Sequence, residues 1–155
     1  MIRKANEQDI PRLLHLLRQV LQIHHVGRPD LFLDATAKYD ADELRGILKS
    51  SQSPVFVCVD EADQVLGYAF CQFPRLENDS IRTDVKTLYI DDICVDEAAR
   101  GRGVGRQLYE YVCSFARESE CYNITLNVWS CNPAAMRFYE SCGLKPQKVG
   151  MEYIL

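Results

Sequence analysis

A short run of alternating glycines and arginines is the part of this 155-residue sequence whose spacing most clearly suggests chemistry. The run joins a strand-like apolar stretch to a helix-like one, and its members are Arg100, Gly101, Arg102, Gly103, Val104, Gly105 and Arg106. Helices usually carry acidic residues in their first turn, because the macrodipole leaves positive character there. Arginines at that place, beside glycine backbone that approaches a ligand closely, indicate an anion site in which backbone N–H groups hold a phosphate.

Two familiar phosphate-binding patterns do not match this run. The dinucleotide pattern G-x-G-x-x-G fails because position 106 is arginine, and the preceding strand is not the first of a βαβ-repeating chain. The P-loop pattern G-x-x-x-x-G-K-[ST] does not occur in the sequence. The pattern that fits is Q/R-x-x-G-x-G/A, with Arg100, Gly103 and Gly105 at its fixed positions.

Apolar periodicity and turn residues predict the elements that must position these residues. We expect strands, two of them paired as an antiparallel hairpin, at residues 1–4, 55–59, 65–73, 85–95, 122–129 and 149–155. Helices are expected from Asn6 or Asp9 to Gly27 and over residues 40–49, 104–116 and 132–143. The order of elements predicts a single mixed α/β domain over residues 1–155.

Composition and charge argue against several other classes of protein. No apolar run reaches membrane-spanning length and no targeting signal precedes the first helix, so we expect a cytoplasmic protein without a membrane partner. A formal charge of −4 argues against a nucleic-acid binder and favours cationic substrates. The seven cysteines form no C-x-x-C pair and the three histidines do not cluster with them, so we expect free thiols and no metal site.

A second motif follows the glycine run after the expected helix and strand. Residues 132–144 read N-P-A-A-M-R-F-Y-E-S-C-G-L and are similar to N-x-x-A-x-x-x-Y-x-x-x-G-F, with Leu144 in place of the phenylalanine. With both motifs and this order of elements, the whole chain resembles the GNAT superfamily of N-acetyltransferases. The resemblance implies a central mixed, largely antiparallel sheet with a splayed pair of parallel strands, flanked by helices.

The resemblance also implies acetyl-CoA as the acetyl donor. The strands at 85–95 and 122–129 would lie parallel and splay apart to admit its pantetheine arm. Backbone amides of residues 100–106 would then hold the pyrophosphate, with added charge from Arg100 and Arg102. A solvated surface position is the alternative for the side chains of Arg102 and Arg106.

Catalytic and binding roles follow from the same resemblance. Tyr139 matches the general-acid tyrosine that protonates the leaving thiolate of CoA, with amphipathic packing as the alternative for a helical tyrosine. Asn132 matches an asparagine that contacts the cofactor arm, a role compatible with helix capping. Backbone groups that bind pantetheine and polarise the thioester carbonyl, a strong catalytic device, would belong to Ile93, Cys94 and Val95.

Two adjacent acidic residues, Asp91 and Asp92, lie inside a predicted strand, where aspartate is disfavoured enough to need a reason. An acceptor amine with an ordinary pKa of about 10.4 must lose a proton before it attacks. Because adjacent strand residues point to opposite faces, we do not expect a paired-carboxylate dyad. The pair resembles that of spermidine/spermine acetyltransferases, which implies Asp91 as base or water-positioner and Asp92 as cation binder or structural anchor. A salt bridge or loop cap is the alternative for Asp92.

The leading hypothesis is an acetyl-CoA-dependent N-acetyltransferase that acts by direct amine attack on the thioester. Its acceptor would be a small cationic amine, such as a polyamine, an amino-acid derivative or an aminoglycoside-like compound. The alternatives are acetylation of a peptide or protein amine and a non-catalytic acyl-CoA-binding sensor. The presence of Tyr139 and Asp91 together with the glycine–arginine run favours catalysis, since binding of acyl-CoA alone needs neither side chain.

The segments expected to shape the acceptor site, residues 22–39 and 75–83, contain no interpretable motif. Phe32 is the substrate-binding candidate there, and the alternative is that Phe32 and Leu33 plug the core. Oligomeric state stays open at this level, although a homodimer is common in the family that the chain resembles.

Overall fold

A computed structural model describes residues 1–34, 38–74 and 80–155. The described strands form one five-stranded sheet, in the order β1 (Ile2–Lys4), β2 (Val55–Val59), β3 (Val65–Gln72), β4 (Thr87–Val95) and β5 (Asn123–Leu126). Neighbouring strands are antiparallel except for β4 and β5, which are parallel. The mixed α/β fold with one parallel strand pair, predicted above, is confirmed.

Helices within the described residues connect the strands and cover the sheet; they are α1 (Ile10–Gly27), α2 (Ala41–Lys49), α3 (Val104–Glu118) and α4 (Pro133–Ser141). Polar caps fix where two of them begin. Asp40 and Glu43 form a capping box at the start of α2, each side chain accepting from the other residue's backbone N–H at 2.8 Å. Asn132 Oδ1 accepts from the Ala135 N–H at 3.1 Å and caps α4, as predicted. Across the described ranges, no helix combines the length and the apolar character that a bilayer span requires.

Each face of the sheet carries an apolar core. The core under α1 and α2, here called the α1/α2 face, includes Tyr68, Phe70 and Cys94. The core under α3, here called the α3 face, includes Cys71 and Ile90. Because strand side chains alternate between faces, membership of a core shows which way each β4 side chain points.

The predicted C-terminal strand at residues 149–155 is wrong. Apolar residues do alternate there, but Val149, Met151 and Tyr153 are 74%, 90% and 87% exposed and belong to none of the described strands. The Arg28 guanidinium holds this segment by donating to the Glu152 carboxylate at 2.8 and 2.9 Å. Alternating apolar and polar residues suit the two faces of a strand, but a strand forms only where a neighbouring strand is available for pairing.

Candidate active site

Strands β4 and β5 stay paired over only part of their length. Their register runs from Thr87 opposite Asn123 to Ile90 opposite Leu126. Strand β4 then continues to Val95, whereas β5 ends at Leu126, three residues before the predicted end. The strands therefore part at Ile90 and open the sheet beside the second half of β4.

A β-bulge lies where the two strands part. Phe70 pairs with Asp92 and Cys71 with Ile90, so Asp91 is an extra residue on β4 without a partner on β3. Ile90 points into the α3 face, whereas both carboxylates that follow contact side chains of the α1/α2 face. The prediction that Asp91 and Asp92 point to opposite faces is wrong, because the bulge interrupts the regular alternation.

Asp92 is held by a tyrosine of the neighbouring strand. The Tyr68 hydroxyl donates to Asp92 Oδ2 at 2.6 Å. Burial raises the pKa of the Asp92 carboxyl to about 6, an effect that the Tyr68 hydrogen bond opposes in part and the charge of Asp91 reinforces. Asp92 is therefore mainly an anion at neutral pH and becomes neutral as the pH falls through about 6.

Asp91 carries an ion pair with a lysine from the loop before α2. Lys38 Nζ donates to Asp91 Oδ2 at 2.6 Å, and the Tyr39 hydroxyl lies 3.5 Å from the same oxygen. Burial tends to lower the pKa of Lys38, but the hydrogen bond and charge of Asp91 outweigh it and raise that pKa above its ordinary value. The carboxylate thus binds an alkylammonium group that the chain itself supplies.

Three of these neighbours, Lys38, Tyr39 and Tyr68, were missed by the sequence reasoning. Lys38 and Tyr39 belong to no motif, and no local pattern marks a contact between their loop and β4. Tyr68 offered a weak signal, since a tyrosine on a buried strand needs a hydrogen-bond partner for its hydroxyl.

The glycine–arginine turn precedes α3, as predicted. Gly101 and Gly103 have φ angles of +77° and +78°, in the left-handed region that favours glycine. The Gln107 N–H donates to the Gly103 carbonyl at 3.0 Å, so the N–H groups of residues 104–106 lie ahead of the hydrogen-bonded part of the helix. A Cβ on Gly101 would meet nothing within 4 Å, which leaves open space beside the turn. Glycine backbone and helix-start N–H groups fit a phosphate here.

The arginines of the turn differ in their surroundings. Arg100 and Arg102 are exposed, and Arg100 lies 3.9 Å from Glu97. Arg106 instead donates to the carbonyl oxygen and the Oγ of Ser141, each at 3.1 Å. The Arg106 side chain therefore ties α3 to the end of α4, which leaves only its backbone N–H for the predicted anion site.

Helix α4 packs closely against the start of α3. A Cβ on Gly105 would lie in ordinary van der Waals contact, 3.4 Å from Phe138 Cζ and 3.5 Å from Val95 Cγ2, so the Phe138 ring lies directly beside the backbone at the start of α3. Tyr139 follows Phe138, and their ring centroids are 5.2 Å apart. Burial raises the pKa of Tyr139 well above its ordinary value, and the charge of Asp92 adds to the effect. The Tyr139 hydroxyl is thus protonated at neutral pH and close enough to Asp92 to sense its charge.

The side chains of three other predicted site residues, Ile93, Cys94 and Asn132, make structural contacts, which leaves their backbone groups for ligand binding. Ile93 packs on the α3 face. The Cys94 thiol donates to the Leu16 carbonyl at 3.6 Å inside the α1/α2 face. Asn132 uses its side-chain oxygen to cap α4. The backbone of residues 93–95 therefore lies along the part of β4 that β5 has left.

Phe32 lies beside the chain that follows β5. Its ring centroid is 5.0 Å from those of both Trp129 and His24. Leu33 is 74% exposed, which excludes it as a core plug. Residues 35–37 and 75–79 of the two segments expected to shape the acceptor site lie outside the described residues.

Comparisons with known proteins agree with this geometry. The family model described as "Acetyltransferase (GNAT) family" matches residues 17–144. Glucosamine 6-phosphate N-acetyltransferase 1 of Oryza sativa subsp. japonica is 34% identical over 76 residues, 49% of this chain and 44% of that protein. Thialysine N-epsilon-acetyltransferase of Bos taurus is 25% identical over 154 residues, 92% of this chain and 82% of that protein.

A solved structure resembles the chain over its full length. A mutant of the BH1408 protein from Bacillus halodurans is 32% identical and covers 100% of this chain and 99% of its own, with a TM-score of 0.95. In contrast, the chain spans only 44% of the two Oryza sativa glucosamine 6-phosphate N-acetyltransferases that it matches and 62% of the Arabidopsis thaliana enzyme.

Proposed function

The protein belongs to the acetyltransferase (GNAT) family, and we propose that it transfers an acetyl group from acetyl-CoA to the primary amine of a small cationic molecule. The observation that carries the proposal is the pair Asp91 and Asp92 on one face where β4 leaves β5, with an alkylammonium group bound to Asp91. Relatives named for glucosamine 6-phosphate and thialysine support an amine acceptor.

Acetyl-CoA is the proposed donor substrate, and it supplies the acetyl group as a thioester. The N–H groups of the turn at residues 100–106 would hold its pyrophosphate, and the exposed Arg100 and Arg102 would add charge. The backbone of residues 93–95, beside the gap between β4 and β5, would bind the pantetheine arm. A backbone N–H there would stabilise the oxyanion that develops as the amine attacks.

Proton transfer is assigned to three side chains. Asp91 takes a proton from the acceptor ammonium, directly or through a water molecule, as its contact with Lys38 suggests. Asp92 keeps negative charge in the site above about pH 6 and favours a cation there. Tyr139 donates a proton to the departing sulfur, a role supported by its hydroxyl, which is protonated at neutral pH, and by its place within reach of the charge of Asp92.

The decisive experiment is an acceptor screen that follows release of CoA from acetyl-CoA. Polyamines, amino acids, amino sugars, aminoglycosides and peptides are tested, with calorimetry of acetyl-CoA binding in parallel. Turnover with a small cationic amine is the expected result, and turnover with peptides alone favours the peptide-amine alternative. Measurable binding of acetyl-CoA without turnover of any amine overturns the proposal and favours a sensor.

A reducing compartment such as the cytoplasm is part of the proposal. The cysteines, including the half-buried Cys113, Cys121, Cys131 and Cys142, are free thiols. Such thiols persist where glutathione and thioredoxin keep them reduced.

The exposed segment at residues 149–155 supports a homodimer. Its apolar residues alternate as in a strand, and β5 forms the end of the described sheet. An exposed strand pattern and an exposed sheet edge that do not meet within one chain can meet between two copies. Sedimentation equilibrium should show a dimer that Met151→Asp with Tyr153→Asp converts to monomer, and a monomeric wild-type protein overturns this part of the proposal.

A further inference from the structure

Lys38 occupies the place at which the proposed function puts the acceptor amine. Its Nζ lies 2.6 Å from Asp91 Oδ2 and 5.3 Å from the centroid of the Tyr39 ring, so a carboxylate and an aromatic face both stabilise its charge. The Lys38 side chain is 37% exposed and that of Asp91 is 17% exposed. The ammonium group therefore lies at the rim of the site, between solvent and a mostly buried carboxylate.

The chemistry of Lys38 is also that of an acceptor. Lysine carries a primary amine on a flexible four-carbon stem. Because Asp91 raises its pKa, the amine is protonated at rest and has the same carboxylate available to take its proton. The proposed binding place of the thioester begins at the backbone of Ile93, two residues after Asp91, and two residues of extended chain span at most about 7 Å. Rotation about the bonds of the lysine side chain moves Nζ by a distance of that order, from Asp91 towards the thioester.

We propose that Lys38 is a self-acetylation site, to which the chain transfers the acetyl group of acetyl-CoA when no free acceptor is bound. This inference rests on the proposed function for its donor. Asp91 takes one proton from the Lys38 ammonium group and so frees the nitrogen lone pair. A bond forms between Lys38 Nζ and the acetyl carbon, and the bond from that carbon to sulfur breaks with its electron pair on sulfur. Sulfur leaves as the thiol after taking a proton from Tyr139, and the second proton shed by the nitrogen restores the tyrosine.

The first test compares two lysines of the same molecule. Wild-type protein is incubated with acetyl-CoA and no acceptor, and peptide mapping by mass spectrometry follows Lys38 and Lys49. Lys49 is 71% exposed and lies 3.2 Å from Glu7, on the outside of α2. Because Lys38 is held beside its base, we expect acetylation about 10-fold faster or more than at Lys49, despite its lower exposure. An equal or slower rate at Lys38 overturns the inference.

Protein concentration separates transfer within one chain from transfer between chains. For in-chain transfer, the first-order rate constant at Lys38 should stay the same over a tenfold range of protein concentration at saturating acetyl-CoA. A rate constant that rises in proportion to concentration excludes the proposed self-transfer.

Asp91→Asn separates catalysed from spontaneous acetylation of Lys38, because the substitution should slow the catalysed reaction and speed the spontaneous one. Without acetyl-CoA, an N-hydroxysuccinimide acetyl ester should label Lys38 faster in this variant, since the amine is no longer held protonated. With acetyl-CoA, acetylation of Lys38 should be slower, since the base is lost. Faster acetylation from acetyl-CoA in the variant would identify the reaction as spontaneous. Asp42→Asn is the matched control on an 89% exposed side chain of α2, and it should change neither rate.

Free amines added to the same wild-type preparation keep this inference distinct from the proposed function. If the preparation turns over a free amine but leaves Lys38 unacetylated in the incubation without acceptor, the inference is overturned and the proposed function stays in place. If neither Lys38 nor any free amine is acetylated, both fail together.

Discussion

The donor and acceptor sides of the candidate active site are built in different ways. The proposed donor side is a run of consecutive residues, 100–106, whose conformation is set locally by Gly101 and Gly103 in the left-handed region. The acceptor side brings Lys38 and Tyr68 onto Asp91 and Asp92 from distant parts of the chain. A local turn keeps its shape through its own backbone, whereas the acceptor side depends on strand register and one bulge.

This difference suggests how the two sides can change independently. The turn uses backbone groups, so only substitutions that alter its conformation or charge should affect acetyl-CoA. The acceptor side uses side chains with opposite charges, so single substitutions there should change proton transfer and amine preference while donor binding persists. Substitutions on each side test that separation.

The largest effect is expected for Gly103→Glu. A side chain at φ +78° is strained, and its carboxylate would repel the pyrophosphate at the helix start. Acetyl-CoA affinity should fall on the order of 100-fold or more, as measured by calorimetry. Gly46→Glu is the matched control, since a Cβ on Gly46 meets nothing within 4 Å and the residue is exposed on α2. Retained affinity in Gly103→Glu would refute the assignment of the turn to the pyrophosphate.

Tyr139→Phe should separate chemistry from binding. The ring and its contact with Phe138 are kept, and only the hydroxyl is lost. Loss of a general acid lowers turnover by roughly 10² to 10⁴. We expect kcat to fall within that range, while acetyl-CoA affinity stays within about twofold because pantetheine and pyrophosphate contacts are unchanged. Unchanged turnover would remove Tyr139 as the acid and leave it a packing residue.

Asp92→Asn should change the pH dependence of the acceptor side. In the wild-type protein, kcat/KM for a cationic acceptor should fall as the pH drops through about 6, because Asp92 becomes neutral there. The variant should not show this fall in kcat/KM near pH 6, and its kcat/KM at pH 8 should be about 10-fold lower than that of wild type because the carboxylate charge is missing. Asp91→Asn retains Asp92 and should therefore keep this fall in kcat/KM, moved to lower pH because the charge of Asp91 helps to raise the pKa of Asp92. A variant at position 92 that kept this fall would assign it to another group.

The same substitution has a stability effect of defined sign. Because the folded-state pKa of Asp92 is raised to about 6, its ionised form opposes folding above that pH, and the penalty disappears as the pH falls toward the unfolded value. The Asn variant should therefore show a higher Tm than wild type at pH 8, with a gain that shrinks on acidification below pH 6. Thermal unfolding at the two pH values measures this change.

Sequence patterns predicted the glycine turn, helix α3 and the start of α4 well because the determinants of these features are local. Glycines at 101 and 103, the apolar stripe of α3 and the cap Asn132 each act within a few residues, and the structure has all of them. The bulge at Asp91 could not be read in this way, since it exists only in the pairing of β4 with β3. The ion pair between Lys38 and Asp91 depends in turn on how the loop before α2 folds over the sheet.

The C-terminal segment was misread for a related reason. Residues 149–155 have the alternation of a strand, but pairing is not a property of one segment. The exposed Met151 and Tyr153 show that the pattern meets no edge within the described chain. Local propensity therefore predicted that the segment is able to form a strand, but it could not predict whether a neighbouring strand was present to pair with it.

The smallest effects should come from the arginines of the turn, and they test the donor side in detail. Arg106→Ala removes two hydrogen bonds to Ser141 and should lower the free energy of unfolding by about 1 kcal/mol, with acetyl-CoA affinity within about twofold of wild type. Arg102→Ala removes an exposed charge and should leave stability unchanged, while acetyl-CoA binds a few-fold more weakly at low ionic strength and nearly normally at high salt. Denaturant unfolding and calorimetry at two salt concentrations measure both. Equal losses of affinity in the two variants would place the Arg106 side chain at the pyrophosphate and contradict its role as a tie between α3 and α4.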